Sequence, residues 1–373
     1  MAPPPRHRSS ALLLAWVYGA LILYASLYPF SGWRWPPGQG ALTLARLPWT
    51  NWNLPFDIWI NFIGYLPFGL LLIIAALRGG LRGPVAFAIA ALLPCAISYS
   101  MECLQQFLPT RVPAMEDWTM NSVGALVGAL LGWAGQSLGL IGQWQTVRTR
   151  WFVADSAGAL TLLALWPVAQ LFPAPVPLGV GQVGERLRAV LAEAVAGVPW
   201  ATTLQRMLDV PATPALPLRP LSEALVVACG LLAPCLLAFT VMRPGWRRAA
   251  MAFGALALGC GTMTLSTLLN FGPLHALAWI TATDAAGLLL GLLVALLLVP
   301  LAPRVVVGVA LVALTALAVG VAQAPADPYF AQSLQGWEQG RFIRFHGLAQ
   351  WVGWIWPYAT MLWLLGRLGR REP

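Results

Sequence analysis

Roughly ten apolar runs, each close to the ~20 residues that cross a hydrocarbon core about 30 Å thick, leave this chain one solvent to fold in, the lipid bilayer. The runs lie at 11–30, 57–77, 84–108, 117–142, 153–172, 220–242, 249–270, 284–302, 305–324 and 348–366. Only 9% of the 373 residues are charged and 59% are apolar. An ordinary soluble domain carries roughly 25% charged residues. Little chain remains between the runs for a water-soluble catalytic domain. The first run follows Arg6 and Arg8 and ends in Tyr28-Pro29-Phe30. It is longer than the roughly 7–15-residue core of a signal peptide and has no small-x-small cleavage site, which predicts a retained first helix.

All 22 basic residues are arginine, and the formal net charge is +9. The absence of lysine excludes a Walker A phosphate loop, a Schiff-base lysine and a lysine general base. The arginines are scattered between the runs and form no basic patch, so no nucleic-acid partner is implied. With the N-terminus inside, the short cytoplasmic segments hold 13 of the 22: Arg6, Arg8, Arg78, Arg82, Arg148, Arg150, Arg243, Arg247, Arg248, Arg304, Arg367, Arg370 and Arg371. The others are diluted over longer outer segments. The positive-inside rule therefore predicts both termini in the cytoplasm, and tryptophans near the run ends (Trp33, Trp35, Trp49, Trp52, Trp118, Trp351, Trp354, Trp356) read as interfacial anchors. In one outer segment, Val183 to Val195, apolar residues recur at helical spacing among Glu185, Arg186, Arg188 and Glu193. That pattern predicts a helix lying flat on the outer leaflet.

Familiar catalytic motifs are missing. There is no GxSxG, HExxH or glycine-rich nucleotide turn, and His7, His275 and His346 are isolated in sequence. The five cysteines (Cys95, Cys103, Cys229, Cys235, Cys260) form no CxxC pair and have no histidine at metal-ligand spacing, so they read as apolar filler. No metal site is expected, and no cofactor can be named.

An internal repeat is visible. Asn121-Ser-Val-Gly-Ala-Leu-Val-Gly128 aligns with Asp284-Ala-Ala-Gly-Leu-Leu-Leu-Gly291, and Leu66-Pro67 before Arg78 aligns with Ala233-Pro234 before Arg243. An even number of spans per copy makes this a parallel repeat. The expected fold is an all-α polytopic transmembrane bundle of about ten spans, built from two parallel four-span repeats plus two extra helices. Its parts are a first repeat at 1–144, a degenerate second repeat at 145–304 containing the amphipathic outer segment 182–209, and two added spans at 305–373. In that alignment the second copy reads Leu265 and Leu268 where the first has Glu102 and Gln105, and its loop before Asp284 has no arginine.

Polar residues cluster in the first copy. Asp57 and Asn61, Glu102 and Gln105, and Asp117 and Asn121 are three or four apart, so each pair shares a helix face. Glu102 sits within its run and needs a partner, for which Arg111 in the short connection Pro109 to Glu116 is placed. Together these groups predict an outward-facing polar pocket able to hold a head group, a cation or a proton. The alternative is that they bond helix to helix within the bilayer, each for about 0.6–2 kcal/mol. Gly124, Gly128 and Gly132 form a smooth strip for close helix packing, and Pro67 with Gly69 predicts a bend in the second helix.

At these residues the chain resembles the VanZ-like membrane family. Asp57-x-x-x-Asn61 leads to Pro67-x-Gly69, then Glu102-x-x-Gln105, then Arg111 and Asp117-x-x-x-Asn121-x-x-Gly124-x-x-x-Gly128, over roughly residues 11 to 135. The resemblance implies a multi-pass protein of the bacterial cytoplasmic (inner) membrane, of a kind associated with resistance to teicoplanin-like glycopeptides. On that footing Asp57, Asn61, Glu102, Gln105, Arg111, Asp117 and Asn121 are the expected ligand-binding residues. The ligand would be a lipid-linked envelope component or a lipophilic antibiotic at the outer leaflet. Two other readings stay open: an enzyme on a polyprenyl-phosphate-type substrate, with Glu102 or Asp117 as general base and magnesium suited to the phosphate, and a proton-coupled transporter.

Overall fold

The computed structural model describes residues 10–28, 30–38, 40–44, 46–49, 55–208, 218–271, 275–324 and 343–369. Arg6, His7, Arg8, Trp52, Arg370 and Arg371 lie outside the described residues, as do the side chains of Asp57, Glu185, Arg186 and His346. The described residues contain helices and irregular segments but no strand beyond one isolated bridge, Phe152 with Met242. Each of the ten apolar runs holds most of one helix, and the run at 117–142 also takes in the start of a second, Leu140–Trp151. Among the described residues, six helices are long and apolar enough to cross a membrane: Ser10–Leu27, Ile58–Arg78, Gly83–Gln105, Pro220–Thr240, Trp246–Phe271 and Pro303–Gln323. Two further apolar helices, Ala157–Ala169 and Ala282–Leu297, are shorter. The chain is therefore a multi-pass helical membrane protein, and it divides into two compact units, residues 1–150 and 151–373.

In the first unit, α1 (Ser10–Leu27) leads through the short α2 (Ala41–Leu44) to α3 (Pro55–Arg78), α4 (Gly83–Gln105), α5 (Met115–Ser137) and α6 (Leu140–Trp151). α3 is the hub: it packs most closely on α5 and also on α4 and α1. Glycine makes the α3–α5 contact possible. A Cβ on Gly69 would overlap the Ala125 carbonyl, one on Gly124 the Phe62 carbonyl, and one on Gly128 the Leu66 carbonyl. The two backbones thus touch directly, as small residues allow in lipid. Gly69 serves this approach, and α3 runs through Pro67 as one helix. Ile22, Tyr65, Phe68 and Ala125 form the inner cluster, while Trp59, Ile63, Leu92 and Leu131 point outward, as expected where the surroundings are acyl chains.

The second unit consists of α7 (Ala157–Ala169), α8 (Val183–Val195), α9 (Thr202–Leu208), α10 (Pro220–Thr240), α11 (Trp246–Phe271), α12 (Ala282–Leu297), α13 (Pro303–Gln323) and α14 (Ile343–Leu368). α8 coincides with the amphipathic pattern. Here α10 is the hub, against α12, α11 and α7, and α13 covers a further side of it. Gly287 and Gly291 of α12 face α10 as Gly124 and Gly128 face α3: added Cβ atoms would lie 2.6 Å from the Ala224 carbonyl and 2.8 Å from the Ala228 carbonyl. The extra cover leaves 67% of the α10 span buried, against 22% for α3.

The expected span at 153–172 takes a different form. α7 has only 13 residues, about 20 Å at ~1.5 Å per residue. The chain then continues without helix through residues 170–182, yet stays buried. Leu178, in the left-handed region at φ 59°, is fully enclosed and packs on Gly230 at the middle of α10 and on Gly259 of α11. The backbone of the segment is tied to α14 by Gly181 N–H donating to Gly353 O (2.9 Å) and by the Tyr358 hydroxyl donating to Gly181 O (3.1 Å). Irregular backbone inside a bundle is tolerated when protein surrounds it. Trp356, read as an interfacial anchor, is instead 2% exposed and donates to Leu162 O of α7 at 2.7 Å.

Candidate functional site

The polar residues of the first unit lie toward one end of its helices, where α1 and α4 finish and α5 begins. Two of the helical pairs join helix to helix. Asn61 Nδ2 donates to Asp117 Oδ1 (2.7 Å), linking α3 to α5, and Asn121 Nδ2 donates to Ser98 Oγ (2.9 Å), linking α5 to α4. Trp118 adds a third link, its Nε1 donating to Cys95 O at 3.0 Å.

The other polar residues tie down chain ends. Gln105 Nε2 donates to Ser26 O (3.0 Å), in the last turn of α1. Arg111 Nε donates to Tyr28 O and Nη2 to Ala25 O, both at 2.9 Å. The guanidinium therefore sits on the carbonyls that end α1, where the helix dipole places partial negative charge. Glu102 Oε2 accepts from Ala114 N–H (3.1 Å), fixing the residue before α5. Glu102, Gln105, Arg111 and Asn121 are all buried. Asp57 falls in the first turn of α3, with its side chain outside those described.

The seven expected site residues are thus distributed over neighbouring contacts, and one of them, Arg111, lines an open cavity. That groove has a volume of about 650 Å³ and is walled by Pro36, Thr43, Arg46, Leu47, Pro48, Gln106, Arg111, Val112 and Pro113. Gln106 Nε2 donates to Leu44 O (2.6 Å) and holds α2 in place as one wall. The described wall residues include two arginines and no acidic side chain. Arg46 is exposed. It was absent from the expected site because an arginine in a connection looks like an orienting charge, and only the fold of segment 30–48 over the end of α4 brings it near Arg111. Arg34 N–H donating to Phe107 O (3.0 Å) and the Trp35–Phe107 ring contact, at 5.4 Å, make that fold.

The second unit has a polar hollow that the sequence alignment hides. Pairing Pro67 with Pro234 sets α3 against α10 five positions out of the register that their glycine contacts give. Gly128 meets Leu66 and Gly291 meets Ala228, so Leu66 corresponds to Ala228 and Asn61 to Glu223. In that register the second unit has an acid, Glu223, opposite Asn61, and with Asp284 it lines one cavity of about 250 Å³.

The fold and the site define a polytopic helical membrane protein whose first unit gathers polar residues at one bundle end. That unit is similar to a known family: residues 11–136, about a third of the chain, match the model of the VanZ/LLP1 family. No curated protein and no solved structure matches the chain.

Proposed function

We propose that the first unit holds the anionic part of an amphiphile at the outer face of a bacterial cytoplasmic membrane. The ligand would be a lipid-linked envelope component or a lipophilic glycopeptide of the teicoplanin type. The observation carrying this reading is the groove with Arg46 and Arg111 in its wall and no carboxylate among its described lining residues. Guanidinium groups match phosphate and carboxylate in fork geometry. Pro36, Leu47, Pro48, Val112 and Pro113 supply apolar wall for the rest of such a molecule. Asn61, Glu102, Gln105, Asp117 and Asn121 support the reading as the frame that fixes the groove, with Asp57 at the start of the same helix. The enzyme reading draws less support, since Glu102 holds the Ala114 amide and is 4% exposed.

We also propose ten membrane passes with both termini cytoplasmic, from the arginine distribution, and two parallel four-span repeats with α13 and α14 added. The like neighbour order around α3 and α10 supports the duplication. The proposed extents are 1–144, 145–304 and 305–373.

Arg46→Gln tests the function, because an exposed side chain can be removed without disturbing the fold. Cells producing the wild type should survive teicoplanin better than cells without it, and Arg46→Gln should lose most of that protection at equal protein level. Native mass spectrometry should show the co-purifying anionic amphiphile depleted in the same variant. Full protection and an unchanged adduct would reject the reading.

A further inference from the structure

The hollow in the second unit lies where α10 and α12 begin and α11 stops. Its wall combines Glu223, Asp284, Ser266, Thr267, Thr281 and His275 with Trp279, Phe271 and the proline-rich irregular segment at Pro173, Pro175 and Pro177. Three observations on this wall point to a cationic ligand. Asp284 is 2% exposed; its Oδ2 accepts from Thr281 N–H (3.2 Å) and Oγ1 (2.7 Å), while its buried Oδ1 has no hydrogen-bond partner among the described residues. Glu223, a second carboxylate, lines the same hollow. The first turns of α10 and α12 bring Glu223 and Asp284 here, and the positive ends of those helices offset part of the carboxylate charge. Trp279 and Phe271 offer aromatic surface of the kind that attracts organic cations.

A buried carboxylate oxygen without a donor, beside a second carboxylate, calls for a positively charged group that brings its own hydrogens. A tightly coordinated metal fits poorly. No group of three His, Cys, Asp or Glu side chains able to hold a metal occurs among the described residues. A space of about 250 Å³ is also far larger than a bare ion fills. An alkylammonium suits both the size and the mixed acidic and aromatic wall. We propose that this hollow binds a primary ammonium group, of the type carried by an aminophospholipid headgroup or a free small amine. Asp284 Oδ1 and Glu223 are its acceptors. The site is independent of the anion groove in the first unit and carries the opposite charge.

The test uses the full-length protein in micelles, with ethanolamine hydrochloride as probe and sodium chloride at equal ionic strength as control. A ligand that binds the folded state raises the unfolding temperature as its concentration rises. Ethanolamine should raise it and sodium chloride should not. Glu223→Gln should weaken the apparent affinity at least tenfold, and Asp284→Asn should abolish the response. If Asp284→Asn fails to fold through loss of its bonds to Thr281, Glu223→Gln alone decides. Equal stabilisation by sodium chloride, no response to ethanolamine, or an undiminished response in Glu223→Gln overturns the proposal. Native mass spectrometry from nanodiscs of phosphatidylethanolamine and phosphatidylglycerol separates the sources. Retention of phosphatidylethanolamine by wild type but not Glu223→Gln assigns a lipid headgroup, and ethanolamine binding without lipid retention assigns the free amine.

Discussion

Arg111 and Arg248 each turn a guanidinium onto carbonyls that end helices. Arg248 is fully buried and donates to Phe239 O (2.8 Å) and Met242 O (2.9 Å) at the end of α10, and to Val299 O (3.0 Å) and Leu301 O (2.7 Å) just beyond α12. A hydrogen bond to a charged group contributes about 1.5–3 kcal/mol, and a carbonyl left without a donor in a buried site adds to the loss. Arg248→Gln should therefore destabilise by about 3 kcal/mol or more. Arg248→Lys should recover less than half of that, because an ammonium has only three N–H donors for the four carbonyls and lacks the guanidinium's spread. Arg243→Gln, at an exposed position, should be near neutral. Thermal unfolding in one detergent measures all three. The Asn61–Asp117 bond should show a coupling of about 0.6–2 kcal/mol in a double-mutant cycle with Asn61→Leu and Asp117→Leu. Residue type and spacing disclosed that α3 and α5 share polar faces. They did not disclose the work of Arg248, which an orientation rule counts like any other cytoplasmic arginine; only the return of the α10 and α12 ends to the same point reveals it.

At the scale of elements, glycine decides how close two helices come. Gly128→Ala places a methyl group on the Leu66 carbonyl, which must move. Backbone has little room to yield, so a loss of about 1–3 kcal/mol or more is expected, with Gly135→Ala, whose Cβ meets nothing within 4 Å, as the neutral control. Unfolding midpoints of the two variants make the comparison. The glycine strip and the helix positions were legible because lipid-facing helices and small-residue seams both leave periodic marks in sequence. α7 and the segment after it were not separable, since hydropathy scores an apolar helix and an apolar irregular segment alike. Glu223 escaped notice for a related reason. A shared proline set the alignment of the two halves, whereas the Leu66–Gly128 and Ala228–Gly291 contacts give a different register.

For the whole molecule, α13 and α14 mark the main difference between the units. α13 lies on α10, with Gly320 against Val226, and α14 lies on α7, with Gly158 against Trp363. Val226, on the face of α10 that meets α13, is 6% exposed. In a chain ending after Pro300, Val226→Cys should therefore react with a membrane-permeant maleimide that does not label it in the full-length protein. An unlabelled Val226→Cys in the truncated chain would show that α13 is not what shields this helix. The number of apolar runs bounded the architecture, but their order along the chain does not say which run becomes the hub.

The buried stretch between α7 and α8 also bears on biosynthesis. A 13-residue helix followed by prolines gives the insertion machinery too short a stop to hold across the bilayer by itself. Its seat, formed by Gly230 and Gly259, is translated later. In the proposed ten-pass arrangement this segment is held only once α10 and α11 are made, so bulky residues at those two glycines should appear first as a chain threaded the wrong number of times.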